Sequence, residues 1–176
     1  MTKHEIYADS ESVMWFHSDT ANYGAAMVGV ATSKTIDGDY SYRGSFKPFG
    51  NDSRDMTIFK DPDGGSGYLI FSTNNNADFE IASLTDDYYN VSEGLYTFSS
   101  VYWEAPGVFK IDGTYYLLYS PQDGWTPTDD GYLTASSMSG PWSSNTLLAP
   151  SGAYAYLTQN VSIEDVAYPE VHANII

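Results

Sequence analysis

The chain has 176 residues, with 7 basic and 23 acidic side chains and a formal net charge of −16, which is typical of one modest, strongly acidic domain. A negative field repels phosphate groups, so nucleic acid and anionic membrane surfaces are excluded as partners. No apolar run reaches the roughly 18 residues of a membrane span. Cysteine is absent, which excludes a disulfide framework and a thiolate zinc site. A neutral ligand fits this composition best.

Aromatic and turn-forming residues dominate the composition. The 16 Tyr, 8 Phe and 4 Trp make up 16% of the chain. Fifteen Gly and eight Pro, together with many Ser, Thr, Asn and Asp, separate short apolar runs, which is typical of strands joined by tight turns. Only residues 161–171 have a helical period, and Pro169 interrupts it. The composition therefore predicts an all-β protein.

Three units repeat along the chain with a period near 50 residues. Each unit has a first segment with an aromatic residue, an apolar second segment that ends in Ser, and a third segment of small and apolar residues. A fourth segment follows turns at residues 38–40, 86–88 and 140–142. Equivalent residues are Tyr7, Phe59 and Phe109 in the first segment, Ser18, Ser72 and Ser120 in the second, and Val30, Ile81 and Thr134 in the third.

Four short strands repeating at this period predict the blades of a β-propeller, and the alternative is a generic antiparallel sandwich. The predicted blades span about residues 5–49, 50–99 and 100–148, residues 149–160 start a fourth with a strand expected at 154–157, and residues 161–176 form a divergent tail. Closed propellers have 4 to 8 blades. We therefore expect another chain to complete the ring, or the sequence to be a fragment, with open blade faces that favour self-association.

Two carboxylates occupy nearly equivalent positions in the second and third units. Asp55 and Glu104 lie 49 residues apart, each just before the first strand of its unit. Because propellers place ligands on the axis, neighbouring blades would direct both carboxylates into one pocket, with Trp103 and Pro106 beside Glu104. A carboxylate pair in an aromatic-lined cleft is what glycoside hydrolysis requires. The alternative is that both are solvated turn carboxylates.

Motifs surround both carboxylates. They are residues 53–64 (SRDMTIFKDPDG) followed by 67–72 (GYLIFS), and residues 104–110 (EAPGVFK) followed by 113–120 (GTYYLLYS). Together these segments resemble glycoside hydrolase family 43. Residues 13–17 (VMWFH) and the turn at Gly124 and Trp125 are similar to its exo-β-1,3-galactanase branch. The resemblance covers about residues 4–160.

This resemblance implies a five-bladed propeller, with about three and a half blades present, that acts as an extracellular, inverting glycosidase on the β-1,3-galactan of arabinogalactan. By motif, Glu104 is the general acid, and Asp55 tunes its pKa and orients the sugar. Gln159 matches a residue that holds the attacking water in this branch. The predicted substrate-binding residues are Tyr23, Asn76, Trp103 and Trp125.

The sequence departs from the galactanase branch in two places. Residues 121–123 (PQD) differ from its small-residue turn, and the resemblance ends after Asn160. An arabinofuranosidase or xylosidase of the same family, and a truncated non-catalytic carbohydrate-binding remnant, are the alternatives. The expected partner is a polysaccharide or oligosaccharide. No metal or other cofactor is expected, because the histidines lack metal-ligand spacing and no Gly-rich phosphate loop occurs.

Three Asn-X-Ser sequences begin at Asn51, Asn90 and Asn160. They are formal N-glycosylation sites that are consistent with a secreted protein, although such short sequences are common by chance. The N-terminal residues lack the apolar stretch of a secretory signal. The extracellular location is therefore expected from the resemblance alone.

Overall fold

The computed structural model describes residues 3–8 and 11–157. Their secondary structure consists of twelve strands and two 3-10 turns, at Pro48–Gly50 and Tyr154–Leu157. None of the helical segments among them is long and apolar enough to cross a membrane. The strands are β1 (Lys3–Ala8), β2 (Glu11–Ser18), β3 (Met27–Ser33), β4 (Ser41–Phe46), β5 (Met56–Lys60), β6 (Gly67–Thr73), β7 (Asp78–Leu84), β8 (Val91–Phe98), β9 (Trp103–Ile111), β10 (Thr114–Pro121), β11 (Gly131–Ala135) and β12 (Thr146–Leu147).

The strands form three antiparallel four-stranded sheets, each a meander in sequence order. We call β1–β4 blade 1, β5–β8 blade 2 and β9–β12 blade 3. The first strands of consecutive blades lie side by side, with β5 contacting both β1 and β9. The prediction of an all-β fold built from propeller blades is confirmed.

Two hydrophobic clusters join the blades. Val13 and Trp15 of blade 1 pack against Leu69 and Phe71 of blade 2, whereas Ile70 of the same strand packs against blade 3. Successive side chains of a strand point to opposite faces, so a sheet covered on both sides needs an uninterrupted apolar run. The sequence of β6 (GYLIFST) therefore reflects the central position of blade 2.

An ion-pair cluster also links blade 2 to blade 3. Asp61 follows β5 and accepts hydrogen bonds from Lys110 Nζ at 3.0 and 3.1 Å and from the Tyr115 hydroxyl. Lys110 Nζ also lies 2.8 Å from Asp63 Oδ2. Burial favours a higher pKa for Asp61, but the hydrogen bonds from Tyr115 and Lys110 hold that pKa below 3.8. The hydrogen bond to Asp63 raises the pKa of Lys110 above its usual range, so the pair is charged at neutral pH.

The segment expected to open a fourth blade differs from the prediction. Residues Tyr154–Leu157 form a 3-10 turn with φ angles between 45° and 63°. Asp129 accepts hydrogen bonds from the backbone N–H groups of Gly152 and Tyr154 at 2.7 and 2.8 Å, and Ala155 is buried. These contacts hold residues 154–157 in a turn rather than a strand, and the start of a fourth blade at residues 149–160 stays a prediction.

Candidate active site

One end of the molecule carries the residues predicted to act on a substrate. In a meander the first strand runs away from one end and the second returns to it, so the start of the first strand and the loop after the second strand lie together. Asp55 precedes β5, and Glu104 is the second residue of β9. Tyr23, Asn76 and Trp125 lie in the loops that follow β2, β6 and β10. We call this end the active end.

A hydrogen bond joins the two carboxylate motifs. Asp55 Oδ2 accepts the backbone N–H of Ala105 at 3.1 Å. Ala105 follows Glu104 directly, so Asp55 of blade 2 holds the backbone that carries Glu104 of blade 3. Asp55 is exposed and Glu104 is half-buried. The structure therefore brings the two predicted motifs together.

A β-bulge explains why the Ala105 N–H is available to Asp55. On β9, Gly107 pairs with Leu118 and Glu104 pairs with Ser120. Two residues of β9 therefore lie between these pairs, whereas only one residue of β10 does. Ala105 lies in this bulge with φ at +51°, a conformation that is unfavourable for a residue with a Cβ atom. Bulges redirect side chains and are frequent beside active sites. The extra residue turns the Ala105 N–H away from the ladder and toward Asp55.

Two carboxyl groups in this arrangement can perform glycoside hydrolysis. One carboxyl group must protonate the leaving oxygen, while a second group helps to hold it and the sugar in place. Glu104 is half-buried, as a proton donor requires, and Asp55 remains open to solvent and substrate. Among the described residues, no group of three or more His, Cys, Asp or Glu is placed to hold a metal ion.

A polar cleft of about 680 Å³ lies between blades 1 and 2 at the active end. Tyr23 lines it from blade 1, and Asp52, Arg54 and Glu80 line it from the blade linker and blade 2. The Asp52 carboxylate holds the loop after β6 in place, because it accepts the backbone N–H groups at positions 74 and 75 at 2.9 and 3.0 Å. The loop after β6 is therefore fixed to the linker that precedes Asp55.

Glu80 is the titratable group of this cleft with a shifted pKa. Burial raises the pKa of Glu80. The nearby charges of Asp78 and Asp52 also raise it, whereas the Asn51 amide, 3.4 Å from Glu80 Oε1, opposes the shift. Burial and the neighbouring carboxylates therefore make Glu80 a weaker acid than an exposed glutamate.

The loop after β6 contains three consecutive asparagines, of which Asn74 and Asn75 line the cleft. Asn74, Asn75 and Asn76 have φ angles of 50°, 55° and 66°, a region that Asn tolerates better than other residues with a side chain. Arg54 donates to Asn75 Oδ1 at 3.2 Å. The Oδ1 atom of Asn76 is buried and has no hydrogen-bond partner among the described residues, so the sugar-binding role of Asn76 stays a prediction.

Aspartates hold the other loops of the active end in the same way. Asp19 Oδ1 accepts the backbone N–H groups of Thr20, Ala25 and Ala26 at 2.7, 2.8 and 3.0 Å, and His17 Nε2 lies 3.0 Å from its Oδ2. Partial burial opposes the effect, but these hydrogen bonds lower the pKa of Asp19 to about 2. The loop that carries Tyr23 is therefore preorganised by one charged carboxylate.

The predicted aromatic residues have different environments. Tyr23 is 69% exposed and Trp125 is fully exposed, so both rings are available to stack on a sugar. Trp103 is partly buried in the cluster between blades 2 and 3, where its ring stacks on Tyr119 with centroids 3.7 Å apart. The Ser72 hydroxyl donates to the Trp103 carbonyl at 3.0 Å. The sugar-binding role of Trp103 stays a prediction, and its observed role is to pack the blades together.

Gln159 lies outside the described residues, so the group predicted to hold the attacking water stays a prediction. The sequence analysis did not identify Asp52, Arg54 or Glu80. One available signal was the single charged residue inside the apolar run of β7 (DFEIASL). The other was the run of three asparagines, because consecutive asparagines indicate a left-handed turn.

Comparisons with known proteins show the family of this chain. The family model described as "Glycosyl hydrolases family 43" matches residues 6–155. The chain belongs to glycosyl hydrolases family 43. This family 43 chain has no match among the curated proteins.

Solved structures show which members of the family are similar to this chain. Over 92% of its length, this family 43 chain is 45% identical to an exo-β-1,3-galactanase from Phanerochaete chrysosporium crystallised with β-1,3-galactotriose, with a TM-score of 0.89. It is 35% identical over 91% of its length to an exo-β-1,3-galactanase from Clostridium thermocellum, with a TM-score of 0.85. A putative exo-β-1,3-galactanase from Bifidobacterium bifidum s17 is 32% identical over 90% of the chain, with a TM-score of 0.84.

The coverage of these structures is unequal. The chain spans 38% of the Phanerochaete chrysosporium structure, 37% of the Clostridium thermocellum structure and 54% of the Bifidobacterium bifidum structure. The chain thus matches about a third to a half of the length of each of these structures.

Proposed function

We propose that this chain is part of an inverting exo-β-1,3-galactanase in which Glu104 is the general acid. The observation that carries this proposal is the hydrogen bond from Ala105 N–H to Asp55 Oδ2, which holds the two carboxylate motifs together at the active end. The similarity to galactanases, at up to 45% identity in the structure with β-1,3-galactotriose, supports galactan as the substrate. It favours galactan over arabinan and xylan, the substrates of the alternative enzymes.

In the proposed reaction, Glu104 transfers its proton to the glycosidic oxygen as the bond between that oxygen and the anomeric carbon breaks. A water molecule attacks the anomeric carbon from the opposite face, and inversion follows from this geometry. The sequence predicts that Gln159 positions the attacking water. The proton that this water loses passes to solvent water, and solvent returns a proton to Glu104 for the next cycle. Asp55 holds the Ala105 backbone and keeps the Glu104 side chain in place during the transfer.

Exposed polar and aromatic groups support the binding of a neutral sugar. Tyr23 and Trp125 offer flat faces at the active end, and the amides of Asn74 and Asn75 line the cleft between blades 1 and 2. The structure of the related Phanerochaete chrysosporium enzyme with galactose supports galactose as one bound sugar. A net charge of −16 disfavours anionic polysaccharides.

We also propose that the protein is extracellular, because a polysaccharide substrate is too large to be taken up intact. Cell fractionation of the native source tests this proposal. Recovery of the chain from the culture medium is expected, and recovery from the cytosol alone would contradict it.

Self-association is a further part of the proposal. On the face of blade 3 that points away from blade 2, the half-buried rings of Phe109 and Tyr116 stack with centroids 4.9 Å apart, and Tyr132 lies 6.2 Å from Tyr116. Among the described strands, no sheet covers this face. Apolar patches of this kind favour association, and sedimentation of the purified chain over a concentration series measures it.

A substrate panel tests the proposed activity. The purified chain is incubated separately with β-1,3-galactan, arabinan and xylan, and the released monosaccharides are identified. We expect galactose from β-1,3-galactan and no pentose from the other two polymers. Release of arabinose or xylose would show a different enzyme of the family. Binding of galactan without any product would favour a non-catalytic carbohydrate-binding role.

A further inference from the structure

Two Asn-X-Ser sequences lie inside the described residues, and the proposed catalytic function uses neither as a modification site. They begin at Asn51 and Asn90, whereas Asn160 lies outside the described residues. Such a sequence marks an acceptor for N-linked glycosylation in chains that enter a secretory pathway. The two described sequences differ in exposure, in hydrogen bonding and in their place in the fold.

Asn90 lies in the exposed turn between β7 and β8. Its Oδ1 atom accepts the backbone N–H of Val91 at 2.8 Å, and its backbone N–H donates to Thr85 Oγ1 at 3.1 Å. Among the described contacts, Asn90 Nδ2 donates no hydrogen bond. Because Oδ1 is held against the backbone, Nδ2 is the part of the amide that remains for solvent or for a sugar. Ser92, the third residue of the sequence, is exposed as well.

Asn51 is also exposed, but its side chain has a hydrogen-bond partner and lies in the cleft. Its Nδ2 atom donates to Glu80 Oε1 at 3.4 Å, and its side chain lines the cleft between blades 1 and 2. Ser53, the third residue of that sequence, is 0% exposed. A glycan attached to Asn51 Nδ2 would crowd the contact between this atom and Glu80 and would occupy the cleft. The modified chain could therefore not fold to this structure without rearrangement.

The location of Asn90 separates it from the active end. The turn between the third and fourth strands of a meander lies at the end opposite to the start of the first strand. Asn90 therefore lies at the other end of blade 2 from Asp55. A glycan at this turn leaves the proposed substrate cleft open.

We propose that Asn90 carries an N-linked glycan and that Asn51 does not. The inference goes beyond the proposed activity and rests on the proposed passage through a secretory pathway. In this modification a bond forms between Asn90 Nδ2 and the anomeric carbon of the first sugar. The bond from that carbon to the pyrophosphate of a lipid-linked oligosaccharide breaks, Nδ2 loses one proton, and the lipid pyrophosphate leaves.

Glycopeptide mapping of the full chain tests the proposal. Residues 1–176 are expressed in yeast behind a secretory leader, and the chain is recovered from microsomes and from the medium. Peptide N-glycosidase digestion in heavy-oxygen water marks every asparagine that carried a glycan. We expect the mark on most copies of Asn90 and on few or none of Asn51.

Four variants distinguish the loss of the acceptor sequence from a failure of the chain to fold. Asn90→Gln and Ser92→Ala should each remove one glycan from the chain. Ser92→Thr keeps the acceptor sequence and should retain that glycan, and Asn51→Gln should leave the glycan mass unchanged. If Asn90→Gln fails to fold, the comparison of Ser92→Ala with Ser92→Thr still decides the site.

An unmarked Asn90 in the recovered parent chain, or a mark on Asn51 in its place, would overturn the inference. The outcome is independent of catalysis, because the glycan is read by mass and galactose release is read separately. Enzymatic removal of the glycan from folded chain should leave galactose release within about twofold of the untreated sample.

Discussion

At the scale of single residues, the acidic side chains of this protein have a structural role. Asp19, Asp52 and Asp129 each accept two or more backbone N–H groups in the loops of the active end. Hydrogen bonds from backbone N–H groups to a charged carboxylate are stronger than neutral ones. A chain with 23 acidic and 7 basic side chains can therefore keep long loops in fixed positions without matching cations.

The contact between Asp55 and Ala105 predicts a difference between two substitutions. Asp55→Ala removes the acceptor of the Ala105 N–H, so we expect the free energy of unfolding to fall by about 1 kcal/mol. Asp55→Asn retains an acceptor oxygen and should leave stability nearly unchanged. Both variants should lower galactose release by about 100-fold, because Glu104 or the sugar is no longer held correctly.

Chemical denaturation and initial rates of galactose release measure these effects. Asp37→Ala is the matched control, because Asp37 is an exposed aspartate in a turn away from the active end. Parental turnover in Asp55→Ala would show that Asp55 has no part in the reaction.

Some residue-level features could be predicted and others could not. Asp55 and Glu104 are recognisable because the repeat places them at equivalent points of consecutive units. The partner of Asp55 could not be predicted, since the bulge at Ala105 depends on the pairing of β9 with β10. The pair of Asp61 and Lys110 was missed for a similar reason, because a contact between blades joins positions that are 49 residues apart.

At the scale of elements, the loop after β2 is the part of the active end whose order depends most clearly on one group. Asp19 accepts three backbone N–H groups of this loop and lies beside His17. Tyr23, with φ at +57°, lies at the tip. The loop has few buried residues of its own, so its conformation rests on these hydrogen bonds.

Asp19→Ala should weaken sugar binding more than it weakens the fold. We expect the affinity for β-1,3-galactotriose to fall by about tenfold, since Tyr23 loses its fixed position and must be ordered on binding. Calorimetric titration of parent and variant measures the affinity, and Asp37→Ala is again the control. Equal affinities would show that the loop does not depend on Asp19.

The same carboxylate sets a pH window for the loop. The pKa of Asp19 is lowered from 3.8 to about 2 in the folded protein, so its stabilising effect is present above about pH 4 and is lost as the pH falls through about 2. Titration of the Asp19 carboxyl group by NMR should give a midpoint well below 3.8. A midpoint at the ordinary aspartate value would contradict the hydrogen-bond pattern.

The elements were predicted well where the repeat is regular. The period of the repeat predicted the segments that form the strands of all three blades, because burial between sheets imposes a recurring apolar pattern on the sequence. The segment Tyr154–Leu157 (YAYL) has the same aromatic and apolar composition but forms a turn. Its conformation is set by Asp129, a residue 25 positions away from Tyr154, which a local pattern does not show.

At the scale of the whole molecule, the blades are held together by apolar clusters and by the Asp61 cluster. Asp61 and Lys110 have side chains that are 9% and 11% exposed, and breaking a buried pair leaves one charge uncompensated. Asp61→Asn should therefore lower the free energy of unfolding by about 3 kcal/mol. The Asp63 side chain is 71% exposed, so Asp63→Asn should lower the free energy of unfolding by less than about 1 kcal/mol.

Denaturation at several pH values tests this ion pair further. The folded pKa of Asp61 lies below 3.8, so its contribution is present above about pH 4 and is lost as the pH falls further. The folded pKa of Lys110 is raised above 10.5, so its contribution is present below about pH 10 and is lost as the pH rises through that folded value. Asp61→Asn should make the loss of stability at acid pH smaller, while the part that comes from other carboxylates such as Asp19 remains. An unchanged loss of stability at acid pH would show that Asp61 does not contribute to it.

The assignment of Glu104 as the general acid is tested most directly by one comparison. Galactose release from β-1,3-galactan is measured for the parent chain and for Glu104→Gln, with the affinity for β-1,3-galactotriose measured on the same samples. We predict that Glu104→Gln lowers turnover by about 10²- to 10⁴-fold and leaves the affinity unchanged, because glutamine can bind the sugar but cannot give a proton to the leaving oxygen. Turnover close to that of the parent would contradict the role of Glu104.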